Sequence, residues 1–205
     1  DASGEIAIRE HSDDVLAKYY NFSEITEGDY AGTYEIKKKT GVTLPNDITI
    51  PSEYMGKAVT KIDYEAFRGC TSLTSLVIGD SVATIGSNAF WGCTNLSSVA
   101  IGNSVTHTGS DVFYKCDNLT GVYITDIASW CNIEFGNAEA NPLYYAKNLY
   151  LNNKLVKELV IPDSVTTIGR HAFCGCDSLI NVAIGNGVTS IGIGAFIYCS
   201  NLTSV

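Results

Sequence analysis

"FRGCTSLTSLVIGDSVATIGSNA", residues 67–89, runs directly into "FWGCTNLSSVAIGNSVTHTGSDV", residues 90–112, and then into "FYKCDNLTGVYI" from Phe113, so one frame returns every 23 residues. It returns late in the chain, where "FCGCDSLINVAIGNGVTSIGIGA" begins at Phe173 and "FIYCSNLTSV" at Phe196. Each unit reads F-x-x-C-x-x-L-x-x-L/V-x-I-G-x-x-V-x-x-I-G-x-x-A. A fixed period of this length is the signature of a stack of like units.

Apolar residues two apart (Leu76 and Ile78, Val99 and Ile101, Val122 and Ile124, Leu159 and Ile161, Val182 and Ile184) give each unit one short strand with a single buried face. Gly79, Gly102, Pro162 and Gly185 end that strand, and the Asp or Asn that follows makes a turn in which small polar side chains satisfy the backbone locally. One such coil has too few apolar residues to shield itself from water. Stacked coils bury Leu on Leu, Ile on Ile and Phe on Phe, while successive strands form a parallel sheet along one side. The expected fold is a solenoid.

Cys70, Cys93, Cys116, Cys176 and Cys199 share the fourth position of the frame. A small, weakly polar side chain suits the inside of a tight corner, and a thiol can donate weakly to a neighbouring carbonyl, so a column of buried free thiols is expected. Disulfides between rungs are the alternative. They are disfavoured by the odd total of seven Cys and by the common orientation of the column, and gain weight only in an oxidising setting.

From strand to strand, Leu76, Val99, Val122, Leu159, Val182 and Val205 are separated by 23, 23, 37, 23 and 23 residues, so one enlarged rung is expected over 122–158. In it, "TDIASWCNI" (125–133) reads as a short helix or turn capped by Thr125 or Asp126, with Ile127, Trp130 and Cys131 on one face. Trp130 is expected to cover the column end that a Phe covers elsewhere. Pro142 and Asn152-Asn153 read as turns, and Tyr150 falls near the Phe position.

Upstream, Ile48 and Ile50 form a first strand pair, so the array is expected over 46–205. Residues 1–45 are expected to cap it with a short helix, Ser12 as its N-cap, and a hairpin within 32–44, because a bare first rung would expose an edge and an open core. The chain stops at Val205, the first residue of another strand. It is therefore expected to be a fragment of a longer protein or to have that end covered by a neighbouring chain.

The 205 residues are 45% hydrophobic, with a net charge of −9, a pI near 4.7 and no basic cluster beyond "KKK" at 37–39. A phosphate backbone would be repelled, so nucleic acid is excluded as a partner. No apolar run approaches the roughly 20 residues of a bilayer-spanning helix, so membrane insertion of this segment is not expected. The first residues, "DASGEIAIREH", have neither the cationic nor the apolar part of a signal peptide, and a start at Asp1 is compatible with a segment whose export signal has been removed.

Candidate chemistry is thin. "HAFCGC" offers His171, Cys174 and Cys176, but His171 and Cys174 take frame positions that vary and read as outward-facing, and zinc needs a fourth ligand. A nucleophilic Cys131 would need a His, and His11, His107 and His171 are not brought near it by the repeat. No catalytic residue, metal or cofactor is expected, and the chain does not read as an enzyme.

The frame, seen most fully in "IPDSVTTIGRHAFCGCDSLINVAIGNGVTSIGIGAFIYCSNLTSV" (161–205), resembles the BspA-like leucine-rich repeat family of bacterial surface proteins over about residues 33 to 205. Thr108 where Ile is usual, and Gly79, Gly102 and Gly185 where Pro is common, are the departures. The resemblance implies a leucine-rich-repeat solenoid of the right-handed β/α superhelix type, secreted or at the cell surface. It also implies binding of host or neighbouring-cell proteins, usually described as adhesion. A passive spacer carrying another domain is the alternative.

From the residues themselves, recognition would sit on the solvent side of the strands, at Thr49, Val77, Ala100, Tyr123, Val160 and Ala183, flanked by Ser75, Ser98, Glu158 and Asn181. The segment 126–150, with Trp130, Tyr144, Tyr145 and Tyr150, is a second candidate because aromatics make good contact anchors.

Overall fold

The protein is described from a computed structural model covering residues 13–205; Ser12, the expected N-cap, lies outside the described residues. A helix at Asp13–Tyr19, acidic in its first turn, leads into an antiparallel hairpin of Tyr20–Glu24 with Tyr34–Lys38. The second arm pairs in parallel with Lys57–Ile62, and Tyr20 sets its ring edge-on against Phe67 at 5.9 Å. From there the chain coils.

Two parallel ladders run along the coil. The front ladder joins Asp47–Ile50, Ser75–Ile78, Ser98–Ile101, Gly121–Ile124 and Leu149–Leu151, in register Ile48↔Leu76↔Val99↔Val122↔Leu149. A second, shorter ladder at the corner joins Lys57–Ile62, Thr84–Ile85 and His107–Thr108, with a bridge from His107 to Glu134. Beyond the front ladder, Glu158–Ile161 pairs with Asn181–Ile184, and Thr167–Ile168 with Ser190–Ile191. The molecule is a leucine-rich-repeat solenoid with rungs of about 23 residues.

Stacking supplies the core. Leu76, Val99, Val122 and Leu149 are all buried, and Phe67, Phe90 and Phe113 lie face to face at 5.2 and 5.5 Å. These ring spacings follow the strand spacing of about 4.8 Å that the ladder imposes. Burying each Phe contributes about 1.5–3 kcal/mol, but only when a rung lies on either side.

Two left-handed residues per rung turn the corners. One column is Glu65, Asn88, Asp111, His171 and Gly194; the other is Gly69, Gly92, Lys115, Gly175 and Tyr198, all at positive φ. Asn, Asp, His and Gly tolerate this region better than most residues, which is why His171 stands where it does. The Gly that follows Ile85, Thr108, Ile168 and Ile191 serves a different need, close approach. A Cβ on Gly109 would lie 2.5 Å from the Ser87 amide nitrogen, and one on Gly169 would lie 2.2 Å from the Ile133 carbonyl oxygen.

The 37-residue interval is not a single rung. Leu149–Leu151 is a further front strand, and it splits the interval into steps of 27 and 10 residues. Val122 therefore neighbours Leu149, not Leu159. "NLYL" hid from the frame because no Gly or Pro corner follows it. The chain reverses instead at Asn152 and Asn153, both left-handed, into an antiparallel arm at Lys154–Leu155. Leu159 then starts the next rung.

The 27-residue rung absorbs its extra residues in a helix, Ile127–Cys131, whose N-cap Asp126 accepts a hydrogen bond from the Ser129 amide at 2.8 Å. The Ser129 hydroxyl, and after it the Ser129 amide, hold the Asp126 carboxyl below its ordinary pKa. Phe113 N donates to Glu139 O as Phe90 N donates to Val112 O, so Ala140, not Tyr150, occupies the Phe position here. Trp130, 1% exposed, packs against Phe135 at 5.4 Å and donates from Nε1 to Ala172 O at 2.9 Å.

Candidate protein-interaction face

Front-strand side chains alternate between core and solvent, so a four-residue strand such as Ser75–Ile78 presents two outward positions, Ser75 and Val77. Val77, Ala100 and Tyr123 stand in adjacent register, and Tyr150 extends the row by one strand. The Tyr123 and Tyr150 rings stack 4.7 Å apart, 13° from parallel. Gly121 makes room: a Cβ there would lie 2.9 Å from the Tyr123 ring. The Tyr123 ring, backed by that of Tyr150, lines an open groove of ≈ 440 Å³ together with Val77 and Ala100.

The groove's rim is polar and internally tied. Asn103 N donates to Asp80 Oδ1 at 3.0 Å, and the Asn103 amide exchanges hydrogen bonds with Thr125 Oγ1 at 3.0 and 3.1 Å. Ser52, Asn152 and Asn153 complete it. A small apolar floor, an aromatic wall and a fixed polar rim can receive protruding side chains from a partner.

Val160, Ala183, Glu158 and Asn181 lie on a separate surface. Glu158 faces Asn181 and Val160 faces Ala183 on the second pair of strands, and the arm Lys154–Leu155 stands between them and Tyr150. Val160 is 68% exposed and lines an open groove of ≈ 730 Å³ with Leu155 and Ile180. Asn181 Oδ1 accepts from the hydroxyls of Thr203 and Ser204 at 3.1 and 2.9 Å.

Tyr144 and Tyr145 sit elsewhere again, on the corner helix Leu143–Ala146. Tyr145 ties that helix to the rung before it, because its hydroxyl accepts the Lys115 amide at 3.4 Å, and burial pushes its pKa up. Tyr144 packs edge-on to Tyr198 at 6.0 Å.

Two features of the surface are not announced by the repeat. Tyr150 belongs to the front face, signalled only by its spacing of 27 from Tyr123 and by Gly121 where Ser75 and Ser98 stand in other rungs. Trp91 and Tyr114, one rung apart, stack at 6.2 Å on the corner, with Arg68 4.5 Å and Lys115 5.1 Å from the Trp91 ring centroid. The cations occupy the ring faces.

The residues with chemical potential are withdrawn from solvent. Burial pushes the Cys131 thiol up to about 12. Cys174, expected to face outward, is fully buried and likewise pushed up to about 12. The cause is the corner helix, whose Tyr144 Cα lies 2.8 Å from where a Cβ on the neighbouring Gly175 would stand. His171 Nδ1 is buried without a partner among the described residues, and burial, followed by the nearby Arg170, lowers its pKa. Among the described residues no group of three His, Cys, Asp or Glu side chains is placed to hold a metal.

All seven cysteines are free thiols. Cys93 donates to Phe67 O at 3.3 Å, Cys116 to Phe90 O at 3.3 Å and Cys199 to Phe173 O at 3.0 Å, so each reaches the preceding rung. No described helix is long and apolar enough to cross a membrane.

A family profile described as "BspA type Leucine rich repeat region" matches residues 46–149 and 144–205, in six copies. Among solved structures, a leucine-rich repeat protein of T. pallidum is similar at 24% identity and a TM-score of 0.53, over 91% of this chain and 89% of that one. A leucine rich cell surface protein from Faecalibacterium prausnitzii is similar at 29% identity and a TM-score of 0.51. That match covers 91% of this chain and 53% of the other, so this chain spans about half of that relative's length. A leucine-rich repeat protein from Bacteroides capillosus is similar at 22% identity and a TM-score of 0.51, over 64% of this chain and 93% of that one. No curated protein matches the sequence.

Proposed function

Because the chain belongs to the BspA-type leucine-rich repeat family, we propose that it is a non-catalytic protein-binding module that recognises a partner on its front strand face. The observation that carries this reading is the Tyr123–Tyr150 stack standing beside the Val77–Ala100 floor. Aromatic anchors cost little entropy to order, and the ladder holds them in place before the partner arrives. The partner is an extracellular protein of a host or a neighbouring cell, and the role is adhesion. The F. prausnitzii relative's description as a cell surface protein supports a secreted or surface location.

The same reading makes residues 1–45 the cap of the array and 46–205 the array itself. Tyr20 against Phe67 supports that division. It also assigns the thiols to packing, since Cys131 and Cys174 hold their protons at neutral pH.

The test is binding of the purified chain to a set of extracellular-matrix and cell-surface proteins, repeated with Tyr123→Ala and Val77→Glu. A bound partner that loses at least roughly tenfold in affinity with either change supports the front face. A partner unaffected by both places recognition elsewhere. No partner at all favours a spacer that carries another domain.

A further inference from the structure

The short step from residue 149 to residue 159 leaves a cleft in the sheet. Among the described residues, the arm Lys154–Leu155 on one side pairs only to Leu149–Leu151, and Glu158–Ile161 on the other pairs only to Asn181–Ile184. In a parallel ladder, successive residues point their N–H and C=O to opposite sides. Asn181 N donates to Lys157 O, while Val182 N donates the other way, to Ser204 O. Leu159 and Ile161 therefore face Asn181–Ile184, and Glu158 and Val160 present their backbone groups to the cleft.

The arm does the same from its side. Val156 N donates to Leu149 O, which turns the backbone groups of Leu155 outward by alternation. Leu155, Glu158 and Val160 are all exposed, and no backbone bond outside the ladders among the described residues uses their N or O atoms. The cleft thus offers strand edges on both walls.

Its side chains select the occupant. Leu155, Val160 and Ile180 are exposed apolar residues around it. Lys154 and Lys157 outnumber the one carboxylate of the cleft, Glu158, on a chain of net charge −9, and neither lysine has an ion-pair partner among the described residues. We infer that this cleft takes an extended segment of a partner protein, β-branched along its length and acidic at its ends, as an added strand. Main-chain bonds to Leu155, Glu158 and Val160 would hold it, its apolar side chains would cover Val160, and its acidic ends would meet the lysines.

This rests on reading the chain as a protein-binding module, at a place distinct from the Tyr123 groove. The probe is a capped peptide of about six residues, alternating Val and Thr between terminal Glu residues. Amide shifts and hydrogen exchange of the full chain are followed by NMR. Shifts and slowed exchange at Leu155, Glu158 and Val160 are expected, with at least roughly tenfold weaker binding when alternate peptide amides are N-methylated. The double change Lys154→Glu, Lys157→Glu, on exposed side chains, should transfer the preference to a peptide with Lys ends.

No binding of the acidic peptide, equal binding of its N-methylated form, or shifts confined to Val77 and Tyr123 would overturn the inference. A chain that loses a protein partner on Tyr123→Ala yet ignores every peptide overturns the cleft and leaves the front-face reading intact. Peptide binding without any effect of Tyr123→Ala on a protein partner supports the cleft and removes the front face.

Discussion

The ring of Tyr150 lies against that of Tyr123 at 4.7 Å although the residues belong to different rungs and are 27 positions apart. A stacked pair of this kind adds about 0.5–1.5 kcal/mol beyond its buried area. Tyr123→Ala, Tyr150→Ala and the double change, compared by urea unfolding, should give a coupling energy of about that size. Strict additivity would mean that the rings are only neighbours.

Gly169→Ala should destabilise by about 1–3 kcal/mol, because adding a methyl to a packed site forces backbone to move. The added Cβ would lie 2.2 Å from the Ile133 carbonyl oxygen, with the Cys131 carbonyl oxygen at 3.1 Å. A melting temperature equal to that of the parent chain would contradict this close approach.

Asn141 is fully buried and makes three hydrogen bonds: its amide donates to His171 O at 2.7 Å and Ala172 O at 2.9 Å, and its Oδ1 accepts from Leu143 N at 2.9 Å. Asn141→Leu strips all three; Ala172 O keeps the Trp130 Nε1 donor and His171 O keeps the Cys174 amide, but the buried Leu143 N loses its acceptor, at a cost of about 1–3 kcal/mol. Trp130→Phe loses one bond, to an Ala172 carbonyl that Asn141 still serves. Chemical denaturation should therefore rank Asn141→Leu as clearly the more damaging of the two.

Stability should fall on the alkaline side. The Cys131 and Cys174 thiols are raised from 9.0 to about 12 in the folded chain. The folded state then binds more protons than the unfolded state between these values, so the contribution is complete below pH 9.0 and lost as pH rises toward about 12. Melting temperatures across this range should drop, and less steeply with Cys131→Ala and Cys174→Ala once their own packing losses are subtracted at neutral pH.

The solenoid was legible because its determinants repeat. Each position of the frame meets the same neighbours above and below, so one chemical requirement is written several times over. Ala140 and Asn141 break that logic. The Phe column skips Ala140, and the ladder across the gap is completed by the side chains of Asn141, Trp130 and Tyr145, which no period announces. The front strand at Leu149 failed to appear for the same reason, since a hairpin turn replaces its corner. For the face, Val77, Ala100 and Tyr123 followed from alternation. Tyr150 required the correct step of 27 residues, and Val160 moved to another surface once that step was known.

The short step at 149–159 also fixes how the molecule carries load. A pull along the stack is shared by strand ladders on the front until it reaches the Lys154–Leu155 arm. There the force passes to the corner side, through Gly169 N to Cys131 O, Phe135 N to Arg170 O and Ser178 N to Lys147 O, with Trp130 and Asn141 on the Ala172 carbonyl. Stretched from its two ends, the chain should tear first at this seam, leaving an N-terminal and a C-terminal block each still wound.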